Sequence, residues 1–224
     1  MKLVAVDLAR VTRFFQADEV RPQGGTYVPD LIKLIVDRYA FAIPPMPKDA
    51  LGEGLKFKTG RLARGANQIN IIELGVFNDG IMASVFDNTD NANLILDDFA
   101  AWLFDTLKIS PPQTKLPRWY FSGLIVEFDA AVVKQLAPFT RTMSAITGAY
   151  RETYPWSYAA HFSRLGFSAD PTTVHPLFKP EFFIERRIGV PYEQSRFFCS
   201  ASLPTKMHLQ VLEQLEAEAK DRRE

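Results

Sequence analysis

The chain has 224 residues, 47% of them hydrophobic and 23% charged, which allows one large or two small globular cores and argues against disorder or a membrane class. Lysine plus arginine equals aspartate plus glutamate at 26 each, so no global field draws the protein to nucleic acid or to an anionic membrane. The lone Cys199 can close no intrachain disulfide, Leu3 to Val6 is too short for a signal-peptide core, and no run approaches the ~20 apolar residues of a membrane helix; the expected location is cytoplasmic.

Residues 2–8 alternate weakly and suit a short edge strand. After the break at Arg21-Pro22-Gln23-Gly24-Gly25, Pro29 and Asp30 stand where a first helical turn favours them. Leu31, Leu34, Ile35 and Tyr39 then share one face of a helix over 29–40, and three prolines make 41–47 loop or extended chain. Leu55-Lys56-Phe57-Lys58-Thr59 alternates apolar and basic, as a half-exposed strand does. Gly60 and Gly65 punctuate the next residues, and Arg61 and Arg64 extend the basic character. An edge strand guarded by lysines explains this strip better than phosphate contact does in a chain of zero net charge.

The most fully signalled stretch is 67–107. A strand over 68–77 meets the turn Asn78-Asp79-Gly80, whose residues tolerate the positive φ expected of a tight hairpin, and 81–86 returns antiparallel. Asp87 to Asp90 supply cap chemistry for a helix whose apolar stripe is Ile95, Phe99, Trp102, Leu103 and Phe104. Ser110-Pro111-Pro112 ends it. Trp119 to Phe128 reads as a central strand, and Asp129 opens a helix through Val132, Val133 and Leu136, broken at Pro138 and continued near 142–150. Tyr150, Tyr154, Trp156, Tyr158, Phe162 and Phe167 crowd an irregular, proline-flanked stretch.

The last section repeats the order of 67–107: a strand over 182–188, a turn at 189–193, a strand over 196–203, and a helix capped by Thr205 that carries Leu209, Leu212 and Leu215. Setting Thr205 against Thr89 aligns Val211 with Ile95, Leu212 with Leu96 and Leu215 with Phe99. That is the outline of a degenerate duplication, although two ordinary ββα units produce it by chance as well. From Glu213 onward the charged tail is expected to fray.

No local motif carries chemistry. Gly52-Glu53-Gly54-Leu55-Lys56-Phe57-Lys58-Thr59 has Phe57 where a phosphate loop needs glycine before its lysine. Asp87, Thr89, Asn91 and Asp98 fit positions of a calcium loop, but Ala92 replaces the turn glycine and helix capping explains the polar residues without an ion. His161, His175 and His208 show no metal-ligand spacing, and Cys199 sits in an apolar strand where cysteine acts as a small hydrophobe. No cofactor and no metal site is read.

The expected fold is α+β: a single domain over 1–224, with a mainly antiparallel sheet built around two ββα units and helices packed largely on one face. Residues 108–117 are the alternative sub-domain boundary. The expected function is non-catalytic protein binding or assembly, with a protein partner or a homo-oligomer, through the aromatic-rich surface of Tyr150, Tyr154, Trp156, Tyr158 and His161. The alternatives are a metal-dependent enzyme drawing non-local carboxylates from Glu73, Asp79 or Asp87, and a nucleic-acid module using strand 55–64. On charge alone nucleic acid ranks last, and no membrane partner is expected.

Overall fold

A computed structural model describes residues 1–15, 27–51, 54–65, 67–108, 118–129, 140–153, 163–168, 170, 172, 180–191 and 194–221. Among them the chain is a mixed α and β structure with four helices and eight strands, and every strand pairing with a defined register is antiparallel. In chain order the elements are β1 (Lys2–Phe14), α1 (Val28–Tyr39), a 3-10 turn (Pro47–Leu51), β2 (Leu55–Arg64), β3 (Asn67–Phe77), β4 (Gly80–Val85) and α2 (Thr89–Thr106). Then come β5 (Arg118–Glu127), α3 (Thr140–Thr153), β6 (Arg164–Ser168), β7 (Glu181–Arg186), β8 (Arg196–Ala201) and α4 (Thr205–Asp221). No helix among the described residues is long and apolar enough to cross a membrane. The helix expected through Val132, Val133 and Leu136 lies outside the described residues.

Residues 6–122 and 202–206 form one compact unit. Its strand order is β2-β3-β4-β1, with residues 118–122 of β5 beside β1. β1 is therefore no edge strand and runs well past residue 8. Ala9 and Val11 continue its inward alternation, and residues 9–14 pair with β4. The β3–β4 hairpin forms where the sequence predicts it, but Gly80 begins β4 opposite Phe77 and leaves Asn78 and Asp79 as the turn. Its turn does not use positive φ: Asn78, Asp79 and Gly80 are absent from the left-handed residues. Gly80 is needed for room instead, because a Cβ there would lie 2.7 Å from the Arg13 carbonyl oxygen of the neighbouring strand.

The core of this unit joins Ile32, Ile35 and Tyr39 of α1 and Ala92, Ile95, Leu96, Phe99 and Leu103 of α2 to inward residues of β1 to β4. On α1 it is Ile32 that is buried, while Leu34 is exposed. Along β2 the buried positions are Leu55 and Phe57, and Leu62 packs partly against the core, so the inward parity changes between Phe57 and Leu62. The partner strand changes parity too, from Ile69 and Ile71 to Leu74. Thr59, at φ 58°, sits at that change, and Gly60 admits the ring of Phe41, which a Cβ would approach to 2.4 Å. Outside β2, Ile43 bridges to Lys58 and Ala42 donates its N–H to the Thr59 carbonyl, so part of this terminal strand's free edge is covered.

Residues 1–5, 123–201 and 207–224 form the other unit. Its order is residues 123–127 of β5, then β8, β7 and β6. Both faces of β5 are buried from Ser122 to Val126, as expected of a central strand. β6 was not foreseen: residues 164–168, at the end of the aromatic-dense stretch, pair with β7 from Arg164 opposite Glu185 to Ser168 opposite Glu181. Nor does α4 fray from Glu213. It continues to Asp221, with Glu216 and Ala219 buried and Glu216 paired with the Met1 ammonium and Lys220.

Candidate functional site

Most of the aromatic surface expected to bind a partner lies outside the described residues. Tyr150 belongs to α3, while Tyr154, Trp156, Tyr158 and His161 do not fall among them, nor does His175. Described residues stand just before the stretch and at its end. Ile146 of α3 is 38% exposed and Phe167 of β6 is 53% exposed, although Phe167 also meets the Phe182 ring edge-on at 6.1 Å. Ile188, at the tip between β7 and β8, is 93% exposed. Single exposed apolar residues are ordinary on a protein surface.

The basic strip takes definite form on β2. The parity change at Thr59 puts Lys56, Lys58 and Arg61 all opposite the inward positions Leu55, Phe57, Gly60 and Leu62. Simple alternation would have separated Arg61 from the two lysines. On β1, Arg10 likewise alternates with the buried Ala9 and Val11, and its Nε donates to Ser84 Oγ at 3.0 Å. Lys58 stands opposite Glu73 in the β2–β3 register, so this face is not uniformly basic.

The three carboxylates suggested for a divalent ion do not converge. Glu73 pairs with Ser84 in mid-hairpin, Asp79 sits in the turn, and Asp87 comes after the far end of β4. At roughly 3.3 Å per residue, the hairpin holds Asp79 and Asp87 more than 20 Å apart along the strands. Among the described residues, no group of three or more His, Cys, Asp or Glu is placed to hold a metal ion. The calcium-loop frame is used as a cap. Asn88 Oδ1 accepts the Asn91 N–H at 2.8 Å, Asp87 accepts from the Asn88 N–H and the Asn91 side chain, and Asp98 is engaged elsewhere.

Two polar clusters have no local sequence signal. Asp98 of α2 accepts from the Tyr39 hydroxyl at 2.6 Å and from the Arg38 guanidinium, which lies over the Trp102 ring at 5.3 Å. Burial, and then the hydrogen bond to Asp98, push the Tyr39 hydroxyl well above its ordinary range, so it stays a neutral donor. Arg118 donates to Asn93 Oδ1 at 2.7 Å and to Asp97, which Arg13 also approaches at 3.9 Å. Both clusters bind helices to neighbouring elements. Cys199 is fully buried opposite Ile184, and burial pushes its thiol up to about 12, which removes the thiolate a nucleophile needs. His208 is buried with its ring 5.2 Å from that of Phe182.

Thr89 and Thr205 form the least expected contact. The Thr205 hydroxyl accepts the Thr89 N–H at 3.0 Å, and the Thr89 hydroxyl accepts the Thr205 N–H at 2.9 Å, with both residues buried. The sequence suggested that Thr205 caps its own helix. Instead, each hydroxyl satisfies a free backbone donor at the start of the other helix. Neither a protein-family model nor a curated protein sequence matches the chain.

Proposed function

We propose that the protein is a non-catalytic binding or assembly protein made of two β-α-β-β-β-α repeats, with the aromatic stretch 150–167 of its second repeat as the partner surface. The observation that supports the binding role is the exposure of Ile146 just before that stretch and of Phe167 at its end. Apolar side chains are held in water there at a cost that a partner's cover would remove.

The repeat reading rests on positions. β1 begins at Lys2 and β5 at Arg118, β4 spans Gly80–Val85 and β8 Arg196–Ala201, and α2 and α4 begin at Thr89 and Thr205, all at one offset of 116 residues. The strand orders β2-β3-β4-β1 and β6-β7-β8-β5 are the same order twice. Buried positions agree along the last helices: Thr89 with Thr205, Ala92 with His208, Leu96 with Leu212, Ala100 with Glu216 and Leu103 with Ala219. In the first repeat, buried side chains of α1 and α2 share one core with inward residues of β1 to β4, which supports helices gathered on one face there.

The test is sedimentation of the full chain over a range of concentrations, with cross-linking to identify contacts, for the wild type and for Tyr154→Ala, Trp156→Ala, Tyr158→Ala combined. The wild type should self-associate or hold a protein partner through cross-links in 150–167, and the triple variant should lose both. Unchanged association in the variant removes this surface from consideration. A nucleic-acid role is the second reading, supported by the gathering of Lys56, Lys58 and Arg61 on one side of β2. It requires retention on DNA or RNA that weakens with salt and falls in Lys58→Glu, Arg61→Glu.

A further inference from the structure

In the unit of residues 6–122 and 202–206, one face of the sheet shares a core with α1 and α2. The registers assign the other face residue by residue, since partners directly opposite each other stand on the same side. One row across the strands runs Phe77, Gly80, Phe14. Trp119 of β5 continues it: its ring centroid lies 4.5 Å from that of Phe14, while its neighbour Arg118 reaches Asn93 and Asp97 of α2 on the helix side. The next row is Lys56, Gly75, Met82, Thr12, and the one after it is Lys58, Glu73, Ser84, Arg10. Past the parity change in β2, Arg61 opposite Asn70 falls on this side too.

The aromatic row is backed by bare chain. A Cβ at Gly75 would lie 2.6 Å from the Phe77 ring and 3.3 Å from Met82 Cε, and one at Gly54 would lie 2.6 Å from the same ring, so glycines let Phe77 lie down on the sheet. Phe77, Phe14 and Trp119 are each half-buried, and none of them belongs to the core on the helix side. With neighbouring strands about 4.8 Å apart, the row from β3 to β5 is roughly 15 Å long. Cations stand beside it: Lys56 and Lys58 in the adjoining rows, Arg61 further along β2, and Arg10, whose Nε donates to Ser84 Oγ. Glu73, between Lys58 and Ser84, offsets one of the four. The chain's zero net charge is thus not the charge of this face, since Asp97 and Asp98 are carried by α2 on the other side.

Given the nucleic-acid reading of the basic strip, on which this rests, we infer that the face binds a single-stranded nucleic acid, with bases stacked on Phe14, Trp119 and Phe77 and phosphates held by Lys56, Lys58, Arg61 and Arg10. Half-buried rings beside fixed cations suit a ligand that alternates π faces with negative charges, and an unpaired strand offers both together. A duplex keeps its base faces inside the stack, and its major groove admits a helix or a two-stranded ribbon rather than the face of a wide sheet. A protein partner would cover the rings equally well but gives no reason for cations to be gathered with them. Every base has a π face, so the platform holds strands of different sequence with little preference.

The experiment titrates the full chain with labelled oligonucleotides of about 12 nucleotides, single-stranded DNA, RNA of the same sequence and the DNA duplex, at low and at moderate salt. The single strands should bind more tightly than the duplex, weaken with salt and quench tryptophan fluorescence. Trp119→Leu and Phe14→Leu keep an apolar side chain but remove the ring, and each should weaken single-strand binding about tenfold. Trp119→Phe keeps a ring, so it should retain the affinity while losing quenching; melting curves show whether each variant is folded. Binding unchanged in both leucine variants overturns the inference, as does a duplex bound as tightly as its single strand. If Lys58→Glu with Arg61→Glu still lowers retention in either case, the basic strip keeps its nucleic-acid role and only the aromatic platform fails. If the wild type retains no oligonucleotide at low salt, both fall, and loss of self-association in Trp119→Leu would then give the face to a second copy of the chain.

Discussion

A threonine at the start of a helix ordinarily turns its hydroxyl to its own first turn, and Thr89 and Thr205 instead turn theirs to each other. Removing either hydroxyl strands a buried backbone N–H, which costs about 1–3 kcal/mol. Thr89→Val and Thr205→Val should therefore each destabilise the protein by that amount in urea unfolding. The double variant should cost less than the two together, because losing one bond releases the geometry that makes the other. Thr59 is the converse case, a β-branched residue held at φ 58° with its side chain in solvent. Left-handed backbone costs such a residue about 1–2 kcal/mol, so Thr59→Gly should raise stability by about 1 kcal/mol once glycine's extra chain entropy is set against the relief. A lowered melting temperature would mean that the Thr59 side chain has a role the strain conceals.

At the level of elements, local rules carried far and then stopped. The β3–β4 hairpin, the polar cap before α2 and the helix α1 were legible, because each depends on residues within one turn or one pairing. What failed was set by neighbours distant in sequence. Gly80 looked like a positive-φ residue, yet it is required by the approach of Arg13, 67 positions away by number but adjacent through the β1–β4 register. The parity change in β2 depends on the Phe41 ring lying over Gly60, and the Arg38–Asp98 pair spans 60 residues. Of the expected partner surface, the sequence could point to aromatic density but not to how those rings are arranged. Gly80→Ala should cost about 1–3 kcal/mol in denaturant unfolding, because its methyl meets backbone that cannot move without parting β1 from β4. The join between β5 and β8 gives a pH test. Arg196 donates to Glu127 at 3.0 Å and holds that carboxyl below its ordinary range, so the pair stabilises the fold above the usual carboxylate pKa and ceases to as pH falls through the depressed value. Carboxyl carbon shifts should titrate low for Glu127 in the wild type and return to the ordinary range in Arg196→Gln.

For the whole molecule, the decisive feature is that neither compact unit is a continuous piece of chain. The divisions fall after residues 5, 122, 201 and 206, so β1, β5 and α4 each contribute to both units. Residues 202–206 return Thr205 to the first unit, where it meets Thr89, and residues 1–5 belong with the second. A single proteolytic cut cannot free either unit intact, and a strand that unravels in one unit is the same strand the other uses. Cooperative unfolding is the consequence of that connectivity, even in a chain long enough for intermediates to be common. Trp102 and Trp119 both lie within residues 6–122, so in a Trp156→Phe variant the fluorescence reports the first unit alone while far-UV circular dichroism reports the entire chain. The two urea transitions should share one midpoint. Separate midpoints would mean that the shared strands melt within one unit while holding in the other, and that the units are energetically independent despite the chain they have in common.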